Sequence, residues 1–79
     1  MKSPTLEPRA IRAKVGDNVR ALRLGLGQSQ EEFCATVGLC QSRISRIECG
    51  HSSLRADDIA KICLALRVNA GVLLEGVVS

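Results

Sequence analysis

An all-α domain of five short helices is what the 79-residue sequence predicts, and three observations predict it. Apolar residues recur at spacings of three and four along most of the chain, the period of one helix face. Helix caps and glycine stops punctuate it at short intervals, notably Ser29-Gln30-Glu31-Glu32, Gly38 and Gly50. Alternation long enough for a strand is missing, with Val77-Val78 at the end as the one short exception.

Residues 1–8 read as a flexible basic arm, because no apolar period runs through them and Pro4 interrupts them. One domain is expected over 9–79. Pro8 suits a first helical position, where its missing amide would be unpaired anyway. Ile11, Val15, Val19, Leu22 and Leu26 then form one apolar stripe, which predicts a first helix from about Arg9 to Leu24, closing near Gly25 or Gly27. Ser29 to Glu32 is a capping box that opens a second helix carrying Phe33, Ala35 and Val37 and ended by Gly38. After a three-residue connection, a third helix runs from Gln41 to Glu48 with Ile44 and Ile47 inward, and Gly50 ends it. Two helices of about eight residues joined by a glycine-containing turn describe a helix-turn-helix. A fourth helix shows Ile59, Ile62, Cys63 and Leu66 on one stripe, with Asp57 and Asp58 complementing the positive end of its dipole. Asn69 is read as the cap of a fifth, short helix holding Val72 and Leu73.

Composition narrows the function. With 46% apolar and 24% charged residues the chain can build a core and is not disordered by composition. One Phe and no Trp or Tyr exclude an aromatic platform for single-stranded nucleic acid and an aromatic-lined peptide groove. So short a chain rarely holds both a core and a buried enzyme pocket. Catalytic signatures are missing too: there is no G-x-S-x-G, no H-E-x-x-H and no glycine-rich phosphate loop. The chain is expected not to be an enzyme.

The net charge of +3 is unevenly spread. Lys2, Arg9, Arg12, Lys14, Arg20 and Arg23 outweigh Glu7 and Asp17 in the first 23 residues, and Arg43, Arg46 and Arg55 outweigh Glu48 over 39–55. Two basic zones suit a polyanionic partner, although solvated surface charge would explain them as well. No apolar run approaches the ~20 residues of a membrane span, and a cytoplasmic protein is expected. Cys34, Cys40, Cys49 and Cys63 form no C-x-x-C pair, so they read as free thiols in a reducing compartment. With one histidine, no metal-ligand spacing arises, and neither metal nor cofactor is expected.

The segments GQSQEEFCATVGL, CQSRISRIECG and DDIAKICLALRVNAGVLLEG, within Val15 to Gly76, resemble the phage-repressor and Cro type of helix-turn-helix, the XRE-like family. The resemblance implies a repressor-like DNA-binding domain whose third helix lies in the major groove. It also implies site residues. Gln41, Ser42 and Arg46 match base readers, with Arg43 divided between base and phosphate; Gln bonds adenine at two atoms and Arg does so with guanine. Gln30, Ser45, His51 and Ser52 are the phosphate candidates that the resemblance implies, Gln30 because it opens the second helix, whose N-terminal amides favour an anion. Arg23 and Glu48 match a partly buried ion pair joining the first helix to the end of the third, although Arg23 could instead be a free phosphate ligand.

Two departures stand out. Cys40 occupies the cap position where Ser or Thr is usual, so a capping hydrogen bond is forgone. Cys49 follows Glu48 where a polar or basic residue is common. Two thiols flanking the reading helix allow either a redox switch or simple substitution.

The expected function is that of a dimeric, sequence-specific DNA-binding transcriptional regulator, a repressor or an autoregulator, on a double-stranded inverted-repeat operator. Val72, Leu73, Leu74, Val77 and Val78 exceed what one short helix can bury and are the expected dimer surface, with Leu54 adding to it. The alternative is an antitoxin-like module whose main partner is a toxin protein. Since the chain ends just after this domain, control is expected through concentration, dimerisation or a partner protein. Phage repressors, restriction–modification controllers and autoregulating antitoxins all fit this description.

Overall fold

The computed structural model describes residues 7–77. Among these residues there are four α-helices: α1 (Pro8–Gly25), α2 (Gln30–Val37), α3 (Gln41–Glu48) and α4 (Ala56–Leu66). The sequence-predicted arm falls almost wholly outside the described residues, as does Val78.

Each boundary has a local cause. Glu7 is extended and Pro8 takes the first position of α1. At α2, the Glu32 amide donates to Ser29 Oγ at 3.1 Å while the Ser29 amide donates to Glu32 Oε1 at 2.8 Å. That reciprocal pair satisfies two amides a helix start would otherwise leave open. Gly38 ends α2 at φ 78°, a left-handed conformation in which a Cβ would be strained, and the chain turns directly into α3.

The fifth helix is corrected. Its place holds a single 3-10 turn, Ala70–Val72. Leu73 and Leu74 donate to carbonyls three residues back, and Asn69 makes no side-chain cap. Gly71 lies within the turn and a left-handed Gly76 (φ 79°) follows it, so an α-helix has neither the propensity nor the length to propagate.

The core consists of Val15, Val19, Phe33, Val37, Ile44, Ile47, Ile62 and Leu73, drawn from all four helices and the closing turn. Helix α1 lies most extensively against α3, and α2 against both α3 and α4. The crossing of α1 and α3 is close enough that a Cβ on Gly16 would stand 2.3 Å from the Ile47 carbonyl oxygen. Asn18 Nδ2 donates to the carbonyls of Leu73 and Glu75, both at 2.8 Å, and ties the C-terminal turn to α1. Helix α3 is thereby clamped between α1 and α2 with one face left to solvent.

Candidate nucleic-acid interface

The outward face of α3 follows from its helical angles. Ile44 and Ile47 are buried, and at 100° per residue the opposite face carries Ser42, Arg46 and Cys49. Gln41, Ser42 and Arg46 are exposed, and Ser45 is half-buried. Ser42 and Arg46 therefore share the outward surface of a helix whose other side is fixed in the core, and Gln41 stands exposed on its first turn, about 100° round from Ser42.

Arg43 does not join them. Its Nη2 donates to the Ser53 carbonyl at 2.7 Å and to Asp58 Oδ2. Asp58 also accepts the Arg55 backbone amide at 2.8 Å. Burial alone would push the Asp58 carboxyl up, but the hydrogen bonds from Arg43 and the Arg55 amide outweigh it and hold it below its ordinary range. Arg43, expected to be divided between base and phosphate, here braces the α3–α4 loop against α4. The signal in the sequence was the Arg55-to-Asp58 spacing, an N-cap residue and an acid at the third helical position. Asp58 was read there only as a dipole partner.

On the other flank, Arg23 and Glu48 form a two-bonded ion pair, Nε to Oε2 at 2.7 Å and Nη2 to Oε1 at 2.9 Å. Their side chains are 11% and 4% exposed, which leaves no room for Arg23 as a free phosphate ligand. Arg23 Nη1 also donates to the Gln28 carbonyl at 2.9 Å. The Glu48 hydrogen bond, opposed by burial, raises the Arg23 guanidinium pKa further. Gln30 Nε2 donates to Glu48 Oε1 at 3.2 Å, so the first residue of α2 belongs to the same network and stands beside α3.

His51 is exposed and Ser52 half-buried in the loop after α3, where the His51 amide donates to the Arg46 carbonyl at 2.9 Å. This loop lines a polar cleft of about 270 Å³ with Arg12, Arg43, Ser53 and Arg55. Sequence reasoning missed that Arg12 and Arg55 meet Arg43 at this cleft, since nothing local joins residues so far apart in the chain.

Cys40 precedes α3 with no side-chain cap bond; its thiol lies 3.4 Å from Ser42 Oγ instead. That contact, with the Arg43 amide, lowers the Cys40 pKa, whereas burial raises that of Cys34. All four thiols are free. Among the described residues no group of three His, Cys, Asp or Glu is placed to hold a metal, and no helix is long and apolar enough to cross a membrane.

The expected dimer surface divides. Leu73 is fully buried in the core of the single chain, a correction that follows from the 3-10 turn pointing it inward. Val72 and Val77 are half-buried, and Leu74 remains 48% exposed. Leu74 borders an apolar cleft of about 140 Å³ with Ile11, Val15, Leu54 and Ile59.

Comparison with known proteins agrees with this geometry. A family model described as helix-turn-helix matches residues 19–73. The restriction-modification controller protein C.AhdI from Aeromonas hydrophila is similar at 31% identity and a TM-score of 0.74, over 81% of this chain and 97% of that one. A hypothetical transcription factor, NHTF from Neisseria, is similar at 32% identity and a TM-score of 0.75, over 86% of this chain and 76% of that one. No curated protein sequence matches the chain. With the capping box, the Gly38 turn, the clamped α3 and a family match over most of its length, the chain belongs to the XRE-type helix-turn-helix family of DNA-binding transcriptional regulators.

Proposed function

We propose that the protein is a dimeric autoregulator that binds an inverted-repeat operator, in the manner of a restriction-modification controller. The observation that carries the reading is the exposed face of α3, where Gln41, Ser42 and Arg46 stand unencumbered while Arg23, Gln30 and Glu48 fix the helix from behind. Rigid mounting matters because a side chain must reach base edges within the tolerance of a hydrogen bond. Gln41 and Arg46 have the two-atom chemistry that distinguishes adenine and guanine. Ser45, Ser52, His51 and the α2 amides near Gln30 lie where backbone phosphates would flank such a helix.

The dimer is supported by the exposed Leu74 and the apolar cleft beside it, lined by Ile11, Val15, Leu54 and Ile59. Likeness to a controller protein favours that setting over a toxin partner. Replacement of Gln41 or Arg46 by Ala tests the reading. Each should cost about 1–3 kcal/mol in operator binding and relax the preference at one or two base pairs of each half-site. Unchanged specificity in both variants, measured by fluorescence anisotropy against single-substituted operators, would remove α3 as the reader.

A further inference from the structure

We infer that the cleft between the start of α1 and the α3–α4 loop is an anion site for a phosphate group, occupied in the DNA-bound protein by a backbone phosphate and held chiefly by Arg12 and Arg55. The inference rests on the DNA-binding reading and adds to it a contact from α1.

The lining of the cleft is Arg12, Arg43, His51, Ser52, Ser53 and Arg55: three guanidinium groups, an imidazole and two hydroxyls, with no carboxylate. Asp58 offsets one of those charges through Arg43. Arg12 and Arg55 have no carboxylate within ion-pair distance among the described residues. Arg12 Nε is buried without a hydrogen-bond partner among them, a costly arrangement for a charged group unless something completes it. Planar guanidinium groups and hydroxyl donors are the chemistry that receives phosphate oxygens.

Position points the same way. Arg43 and Glu48 leave α3 about 140° apart, Arg43 toward this cleft and Glu48 toward Gln30. The buried Ile44 and Ile47 lie within that sector, and the exposed face with Ser42 and Arg46 fills the remainder of about 220°, flanked by Arg43 on one side and Glu48 on the other. A helix seated in a major groove about 12 Å wide meets a phosphate wall on either side. The start of α2 would face one wall and this cleft the other.

Arg12→Gln and Arg55→Gln test the inference, with circular dichroism and Tm as checks on folding and Arg67→Gln, at the far end of α4, as control. Losing one phosphate contact should lower the steepness of log K against log salt by about 0.9. It should also weaken binding roughly tenfold, equally on operator and on random duplex. In parallel, inorganic phosphate is titrated into each protein while the amide signals of residues 51–55 and the Arg12 side-chain N–H signal are followed by NMR. The inference expects shifts there in the wild type and their loss in both variants. Unchanged salt slopes together with no phosphate-dependent shifts would overturn it. Should the wild type bind no duplex, the DNA reading fails, and the phosphate titration alone decides the cleft. Submillimolar phosphate binding with unchanged salt slopes would identify free phosphate as the occupant and overturn the backbone contact.

Discussion

Glu48 accepts from Arg23 twice and from Gln30 once, so one carboxylate joins α1, α2 and the end of α3. Replacing it with Gln leaves the nearly buried Arg23 guanidinium without a counter-charge, which costs far more than the net worth of the intact pair. Glu48→Gln should lower stability by about 2–4 kcal/mol in urea melts and weaken operator binding as α3 loosens; a loss below about 1 kcal/mol would mean that water reaches Arg23. Asp58 makes the matching brace on the other flank. Because its carboxyl is held below its unfolded value, its contribution is complete above about pH 4 and is lost as the pH falls below that toward the folded value. Asp58→Asn should therefore be less stable than wild type at pH 7 and show a shallower loss of stability below pH 4. Parallel acid limbs in thermal melts would show that Asp58 carries no such linkage.

At the scale of elements, the arrangement depends on how closely α1 approaches the C-terminal end of α3. Ala in place of Gly16 would gain about 1 kcal/mol of helix propensity. Its Cβ would nevertheless stand 2.3 Å from the Ile47 carbonyl and 3.0 Å from that of Glu48, backbone atoms that cannot step aside as a side chain would. Gly16→Ala should thus destabilise by about 2–3 kcal/mol net and reduce DNA affinity, while wild-type stability would show that the two helices can part cheaply. These elements were unevenly legible in the sequence. The starts of α2 and α3 and the stop at Gly38 rest on rules spanning a few residues, so capping and spacing located them. The last segment did not yield to the same reading. Val72, Leu73 and Leu74 are apolar in succession, and a turn with three residues per repeat selects its inward member differently from an α-helix. Burial of Leu73 is hence visible only once the turn is built. The site divides likewise: the exposure of Ser42 and Arg46 follows from helical angles within α3, and that of Gln41 from its place on the first turn. The Arg43–Asp58 brace and the meeting of Arg12 with Arg55 are tertiary, with no local pattern to announce them.

For the whole molecule, the proposed operator binding requires one eight-residue helix to specify a unique site. A single reading helix covers only a few base pairs, too few for one operator in a genome. Two copies related by a two-fold axis would set their reading helices about 34 Å apart, one turn of duplex, and would convert the few base pairs into an inverted repeat. Leu74 and its apolar cleft are built from α1, the α3–α4 loop, α4 and the C-terminal turn, with no residue of α3 in the lining, so pairing there would leave the exposed faces of both α3 helices free. The most direct test is selection of bound sites from a pool of random duplex DNA by the wild-type protein at physiological salt, followed by sequencing of what is retained. The account predicts an enriched inverted repeat whose half-site centres lie about 10 base pairs apart. Retention of unenriched random sequence, or of single half-sites with no symmetric partner, would contradict it.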